Sequence, residues 1–168
     1  MDWYALFVKT GKEEIVQKWL DYHFNEMSLR SLVPKRKLIE RKAGKAQSIV
    51  RKLFPGYILI NTDMSITTYK TIRNIPNLIN ILGNDTYFSR IPEEEILPIL
   101  NLIGASDTIG CSKIYLENSK VVVNSGPLKN MEGIIKRIDK RKKRVKVMLN
   151  FMGSQKIIDL SIDVLENN

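Results

Sequence analysis

Seven residues near the C-terminal end constrain the fold more than any other stretch of this chain. Val145-Lys-Val147-Met-Leu149-Asn-Phe151 is apolar at every second position, the period of a strand with one buried face. Just before it, residues 136–146 carry eight basic residues in eleven, and before those lie two more strand-like runs, Val121-Val-Val-Asn-Ser-Gly126-Pro127-Leu128 and Gly133-Ile134-Ile135. The arrangement reads as a β-hairpin with a strongly positive tip, rigid enough to reach into a groove. Phosphate attraction supplies most non-specific nucleic-acid affinity, so the tip points to a nucleic-acid partner. A solvated tip that only keeps a sheet edge from aggregating explains two or three lysines. It explains eight poorly.

The net charge of +9 is concentrated in two zones. Residues 35–52 hold eight basic residues and one acid, and residues 119–168 hold eleven and five. Focused zones of this kind steer polyanions at long range and weaken as salt screens them. The single cysteine, Cys111, excludes an internal disulfide and a cysteine-based zinc site. No apolar run approaches the length of a membrane span, and the N-terminus lacks the layout of a signal peptide. The expectation is a cytoplasmic monomer with no membrane contact.

Trp3 to Val8 reads as a buried strand, and Thr10-Gly-Lys-Glu13 as a capping box. The helix behind it places Ile15, Val16, Trp19, Leu20, His23, Phe24 and Met27 on one face. Residues 35–52 read as a hairpin loop or a mobile arm. Leu53-Phe-Pro-Gly-Tyr-Ile-Leu-Ile60 turns at Pro55-Gly56 into a strand. A helix over 67–75, a strand over 78–82 and a helix from Pro92 follow, with Glu93, Glu94 and Glu95 complementing the last helix's N-terminal charge. Residues 104–118 lack periodicity and read as a flexible linker. Beyond them, short strands between turn residues have the grammar of a small barrel. The expected division is an α/β sandwich over 1–103, the linker, and a five-stranded barrel over 119–168.

These pieces, in this order, resemble the NusG family of transcription elongation and antitermination factors. Trp3-Tyr4-Ala5 with Gly11 and Glu13 is similar to the family's opening signature, and Phe54-Pro55-Gly56-Tyr57-Ile58 to its central motif. Ile72-Arg-Asn-Ile75-Pro76 through Ile81-Leu-Gly83 resembles the segment that follows, and Val121–Leu128 with Gly133-Ile134-Ile135 resembles the KOW motif. The resemblance implies an α+β chain, with a ferredoxin-like N-terminal (NGN) domain joined to an SH3-like five-stranded KOW barrel. It also implies that the NGN domain docks on bacterial RNA polymerase, at the β′ clamp helices. Phe54 falls on the principal contact, an exposed aromatic anchor, with Trp3, Tyr4 and Tyr57 beside it.

Two departures from the housekeeping pattern point to a specialised member, most similar to the LoaP type. Met152 stands before Gly153, where housekeeping members carry the phenylalanine that receives the barrel's protein partner. Phe151 lies one residue earlier, where alternation points it inward. The basic tip replaces a more balanced mixture. The implied partner is an RNA hairpin in a nascent leader transcript, bound by Lys136, Arg137, Lys140, Arg141, Lys142, Lys143, Arg144 and Lys146, with Lys129 and Asn130 in support.

No residue constellation suggests an enzyme, a metal or a cofactor. His23, the single histidine, lies on the apolar face of the first helix, where a partly buried structural role is expected. Two other readings compete. One is a housekeeping elongation factor whose barrel binds a ribosomal protein or termination factor. The other is a ribosome-associated KOW protein, against which the Trp3 and Phe54–Tyr57 motifs count.

Overall fold

The computed structural model describes residues 1–83 and 88–166. They group into two compact units, one of Met1–Pro34 with Phe54–Ile96 and the other of Lys35–Leu53 with Leu97–Asn168.

The first unit is built on β1 (Asp2–Val8), α1 (Glu13–His23), β2 (Leu29–Leu32), β5 (Tyr57–Thr62), α2 (Ile66–Arg73) and β6 (Leu78–Ile81). Its sheet runs β2-β5-β1-β6 with every neighbour antiparallel, which is the ferredoxin-like order. Alternation along β1 and β5 sends Tyr4, Leu6, Val8, Ile58 and Ile60 into a core shared with Val16 and Leu20 of α1 and Ile72 of α2. Ser65 starts α2 as expected of a serine cap, accepting from the Thr68 N–H at 3.0 Å.

The start of α1 differs from the capping box predicted. Lys12 occupies the cap position without a side-chain bond. Glu13 is fully buried instead, and its Oε1 accepts the Gly56 N–H at 2.7 Å. The carboxylate thereby fastens the helix start to the Pro55-Gly56 turn, a contact 43 residues away that no local pattern announces. Glu13→Ala should cost about 2 kcal/mol, because it leaves a buried amide unpaired; urea denaturation measures the loss.

The buried stripe of α1 is also narrower than its periodicity suggests. The helix ends at His23, so Met27 lies beyond it, 89% exposed, and Ile15 is 54% exposed. His23 is exposed rather than partly buried. It stacks on the Trp19 ring at 3.5 Å between centroids, with Nδ1 2.8 Å from the Trp19 carbonyl oxygen.

The second unit holds β3 (Lys35–Lys42), β4 (Lys45–Lys52), most of α3 (Glu93–Ile103), and β7 (Thr108–Ile109) through β12 (Ser154–Val164). Residues 35–52 form a regular hairpin. Lys42 pairs with Lys45 across Ala43-Gly44, whose φ values of 50° and 77° fit a two-residue turn with both central residues left-handed.

Residues 104–118, read as a flexible linker, carry β7 and β8 (Ser112–Glu117). β7 pairs parallel with β3, while β8 sits between β12 and β9 (Lys120–Ser125). The five-stranded sheet runs β10-β11-β12-β8-β9, with β10 at Ile135–Asp139 and β11 at Arg144–Phe151. Val145, Val147, Leu149 and Phe151 alternate into its core, as their spacing predicted.

Candidate nucleic-acid interface

β10 and β11 meet in a turn over residues 140–143 that the local sequence itself builds. The Asp139 carboxylate accepts the Lys142 N–H at 2.9 Å, and Lys143 takes a left-handed φ of 52°. Arg144 pairs with Asp139 to open β11, so the turn projects Lys140, Arg141 and Lys142 into solvent. Lys136 and Arg137 are exposed on β10, where the register shifts between Ile135 and Arg137. Among the described residues, these five side chains form no ion pair. They are the cations open to a phosphate.

The other predicted contacts are placed differently. Arg144 is only 18% exposed. Its guanidinium lies 3.7 Å from the Glu40 carboxylate and 3.6 Å from that of Asp159, and donates to the Ile39 carbonyl at 3.3 Å. Lys146 donates to Asp159 at 2.9 Å. Lys143 is 3.9 Å from Asp163, a weak and solvated pair. Lys129 turns its ammonium back onto the Val123 carbonyl at 2.9 Å, while Asn130 is exposed at a left-handed φ of 62°. Lys129, Arg144 and Lys146 thus bond within the unit. A charge count includes Asp159 but does not show which cations it pairs with.

Asp159 is the centre of this network. Arg36 of β3 donates to its backbone carbonyl at 2.8 Å. Burial opposes ionisation of the Asp159 carboxyl, but the Lys146 hydrogen bond and the charges of Lys146, Arg144 and Arg36 outweigh it and hold the pKa below its usual value. Asp107 behaves alike. Burial is again opposed, here by the Thr108 hydroxyl and Lys35, whose ammonium is 3.1 Å away, and the pKa falls. Burial in turn lowers the pKa of Arg36, with Asp159 acting against it.

Carboxylates with depressed pKa values contribute stability above the ordinary carboxylate pKa, and that contribution is lost as pH falls through the depressed values. Asp159→Asn should therefore destabilise the second unit by about 1 kcal/mol at neutral pH, a figure kept small by solvent access. The difference should close as pH drops below about 4. Thermal melts of both proteins across pH test this.

The turn faces β3–β4 across a cleft of about 630 Å3, lined by Ile39, Glu40, Arg41 and Ala46 on one side and residues 141–144 on the other. Both basic zones therefore line one surface feature. The two zones lie about a hundred residues apart in sequence, and no local pattern announces their meeting.

The aromatic group in the first unit is only partly as predicted. Trp3 and Tyr57 are half-buried, with Arg30 6.0 Å above the Trp3 ring and Tyr57 packed on Phe7 at 5.3 Å. Tyr4 belongs to the core at 7% exposure. Phe54, expected as an exposed anchor, is 5% exposed. The Tyr57 N–H donates to the Phe54 carbonyl in a tight turn, with Phe54 at its first, buried position.

At the last barrel turn Phe151 is buried and Met152 half-buried, at a left-handed φ of 49°. Among the described residues, no group of three or more His, Cys, Asp or Glu side chains could hold a metal ion, and no helix is long and apolar enough to cross a membrane.

Comparison with known proteins places these features in a family. Residues 1–100 match the family described as transcription termination factor NusG, and residues 117–148 match the KOW motif. A transcription termination/antitermination protein NusG of Rickettsia felis is 28% identical over 172 residues, covering 99% of this chain and 90% of its own. The protein of the same name from Staphylococcus aureus is 28% identical over 174 residues, covering 98% and 94%. A solved structure titled "Domain interaction in Thermotoga maritima NusG" is similar in fold, with a TM-score of 0.60 at 23% identity over 95% of this chain and 93% of that one.

Proposed function

Because the chain belongs to the NusG family of transcription factors, we propose that it docks on bacterial RNA polymerase through its first unit, Met1–Pro34 with Phe54–Ile96, and binds a structured nascent RNA hairpin through its basic barrel. The polymerase surface is assigned to the aromatic group around Trp3 and Tyr57, with Tyr4 and Phe54 supporting it from beneath. No cofactor or catalytic step enters this reading. The observation that carries it is a set of five cations without an ion pair among the described residues, Lys136 and Arg137 on β10 and Lys140, Arg141 and Lys142 on the turn that the Asp139 carboxylate fixes.

The lysines act as phosphate contacts, each worth about one unit of salt slope. Sequence discrimination falls to Arg137 and Arg141, whose planar forks can take two acceptors of a guanine edge. Regular A-form RNA closes its major groove to side chains. The cognate site should then be a stem-loop opened by a bulge or a mismatch.

Selection of RNA ligands from a random library with the full chain should converge on such stem-loops. Arg137→Lys or Arg141→Lys should abolish the preference for them while leaving most of the non-specific affinity. Absence of enrichment, or unchanged discrimination in both variants, would sink the RNA-reading assignment.

A second reading, the housekeeping elongation factor whose barrel binds a ribosomal protein or termination factor, is favoured by the internal pairing of Arg144, Lys146 and Lys129. That pairing reduces the charge available to RNA. The two readings part on the same selection.

A further inference from the structure

We propose that the β3–β4 hairpin is the second wall of the RNA site, and that the cleft between it and the 140–143 turn holds a single-stranded segment flanking the bound stem. The inference rests on the RNA-binding reading and adds a place, a partner form and a set of residues to it.

Charge comes first. Among the described residues Glu40 is the only acid lining the cleft, and its carboxylate is engaged by Arg144 at 3.7 Å and by Arg51 at 3.8 Å. Arg41 faces the cleft from one side and Arg141 and Lys142 from the other. Lys42 and Lys45, exposed at the hairpin end, extend the first wall. Among the described residues, Arg41, Lys42 and Lys45 form no ion pair. Both walls are therefore open cations, and a phosphate chain between them meets positive charge on each side.

Size selects the form of RNA. About 630 Å3 is the volume of a pocket for one drug-sized molecule. That volume matches a nucleotide or two of one strand rather than a duplex. Ile39, 39% exposed on the lining, offers an apolar surface to a sugar. Among the described residues no aromatic ring lines the cleft to stack a base, so binding there rests on phosphate charge and should be indifferent to sequence.

The walls are also held in place before RNA arrives. Arg36 of β3 bonds the Asp159 carbonyl, and Arg144 beside the turn bonds the Ile39 carbonyl. A preformed spacing spares the ordering cost that two mobile arms would incur on binding.

The test uses the full chain and a bulged RNA stem-loop with blunt ends, compared with the same stem-loop carrying an oligouridine extension at either end. One extension should tighten binding about tenfold at low salt, and the gain should fall steeply as salt rises. Arg41→Gln, Lys42→Gln and Lys45→Gln combined should abolish that gain and leave affinity for the blunt stem-loop nearly unchanged, which also reports that the variant is folded. Equal affinity with and without extensions overturns the inference, as does a gain that survives the triple variant; the stem-binding reading stands in both cases. Failure of the parent to bind any of these probes overturns both.

Discussion

Gly126→Ala is expected to unfold the barrel at ambient temperature, with a loss of about 4 kcal/mol or more. Gly126 has φ +99°, which a residue with a Cβ rarely adopts. The added carbon would also lie 2.6 Å from the Ser112 Cα and 2.7 Å from the Cys111 carbonyl oxygen. Both are backbone atoms of the segment opening β8, so no side chain can rotate away. The loop after Gly126 is fastened at the same place, with the Leu128 N–H donating to the buried Ser112 hydroxyl at 3.0 Å. Pushing the loop outward would break that bond and uncover Leu128, which is fully buried. Circular dichroism and amide exchange should register the loss in β8 to β12. A variant melting within a few degrees of the parent would mean that the loop can shift without cost.

Phe54→Ala should lower stability by about 3 kcal/mol, the usual loss for emptying a buried phenylalanine site. The reason is the 5% exposure of a ring that its motif alone would place on the surface. Polymerase binding by this variant should then fall no further than the folded fraction does. Tyr57→Ala, at a half-buried position, should instead weaken polymerase binding with a small change in melting temperature. If Phe54→Ala leaves the melt unchanged and abolishes polymerase binding, the ring is an exposed anchor.

The two residues illustrate what a sequence can and cannot disclose. Motif order made the folds of both units legible, and alternation over Val145–Phe151 placed that strand's core face correctly. Periodicity failed where a segment has no apolar face to display. Residues 35–42 read Lys-Arg-Lys-Leu-Ile-Glu-Arg-Lys, with Leu38 alone buried, so periodicity left a hairpin loop and a mobile arm both open where a regular strand stands. β7 is two residues long and depends on β3, far back in the chain, for its pairing.

The charge pattern gave the tip but not its partners. Asp159 reaches Arg144 from the adjacent strand β12 and Glu40 from β3, far back in the chain, and they divide the basic cluster into cations that hold the unit together and cations that face solvent. Glu13 is the same lesson at a buried position. Its spacing from Thr10 suggested a local cap, whereas the amide it bonds belongs to Gly56.

The central claim, that polymerase docking and RNA reading reside in one chain, is tested most directly on elongation complexes. Two immobilised templates would be transcribed by purified bacterial RNA polymerase to the same position. They would differ only in whether the emerging transcript carries the stem-loop recovered by selection. Retention of the protein through washing should rise about tenfold or more when the stem-loop is present. It should return to the lower level when Lys140, Arg141 and Lys142 are all glutamine. Equal retention on both templates would contradict the account, and the chain would then act on polymerase without reading its transcript.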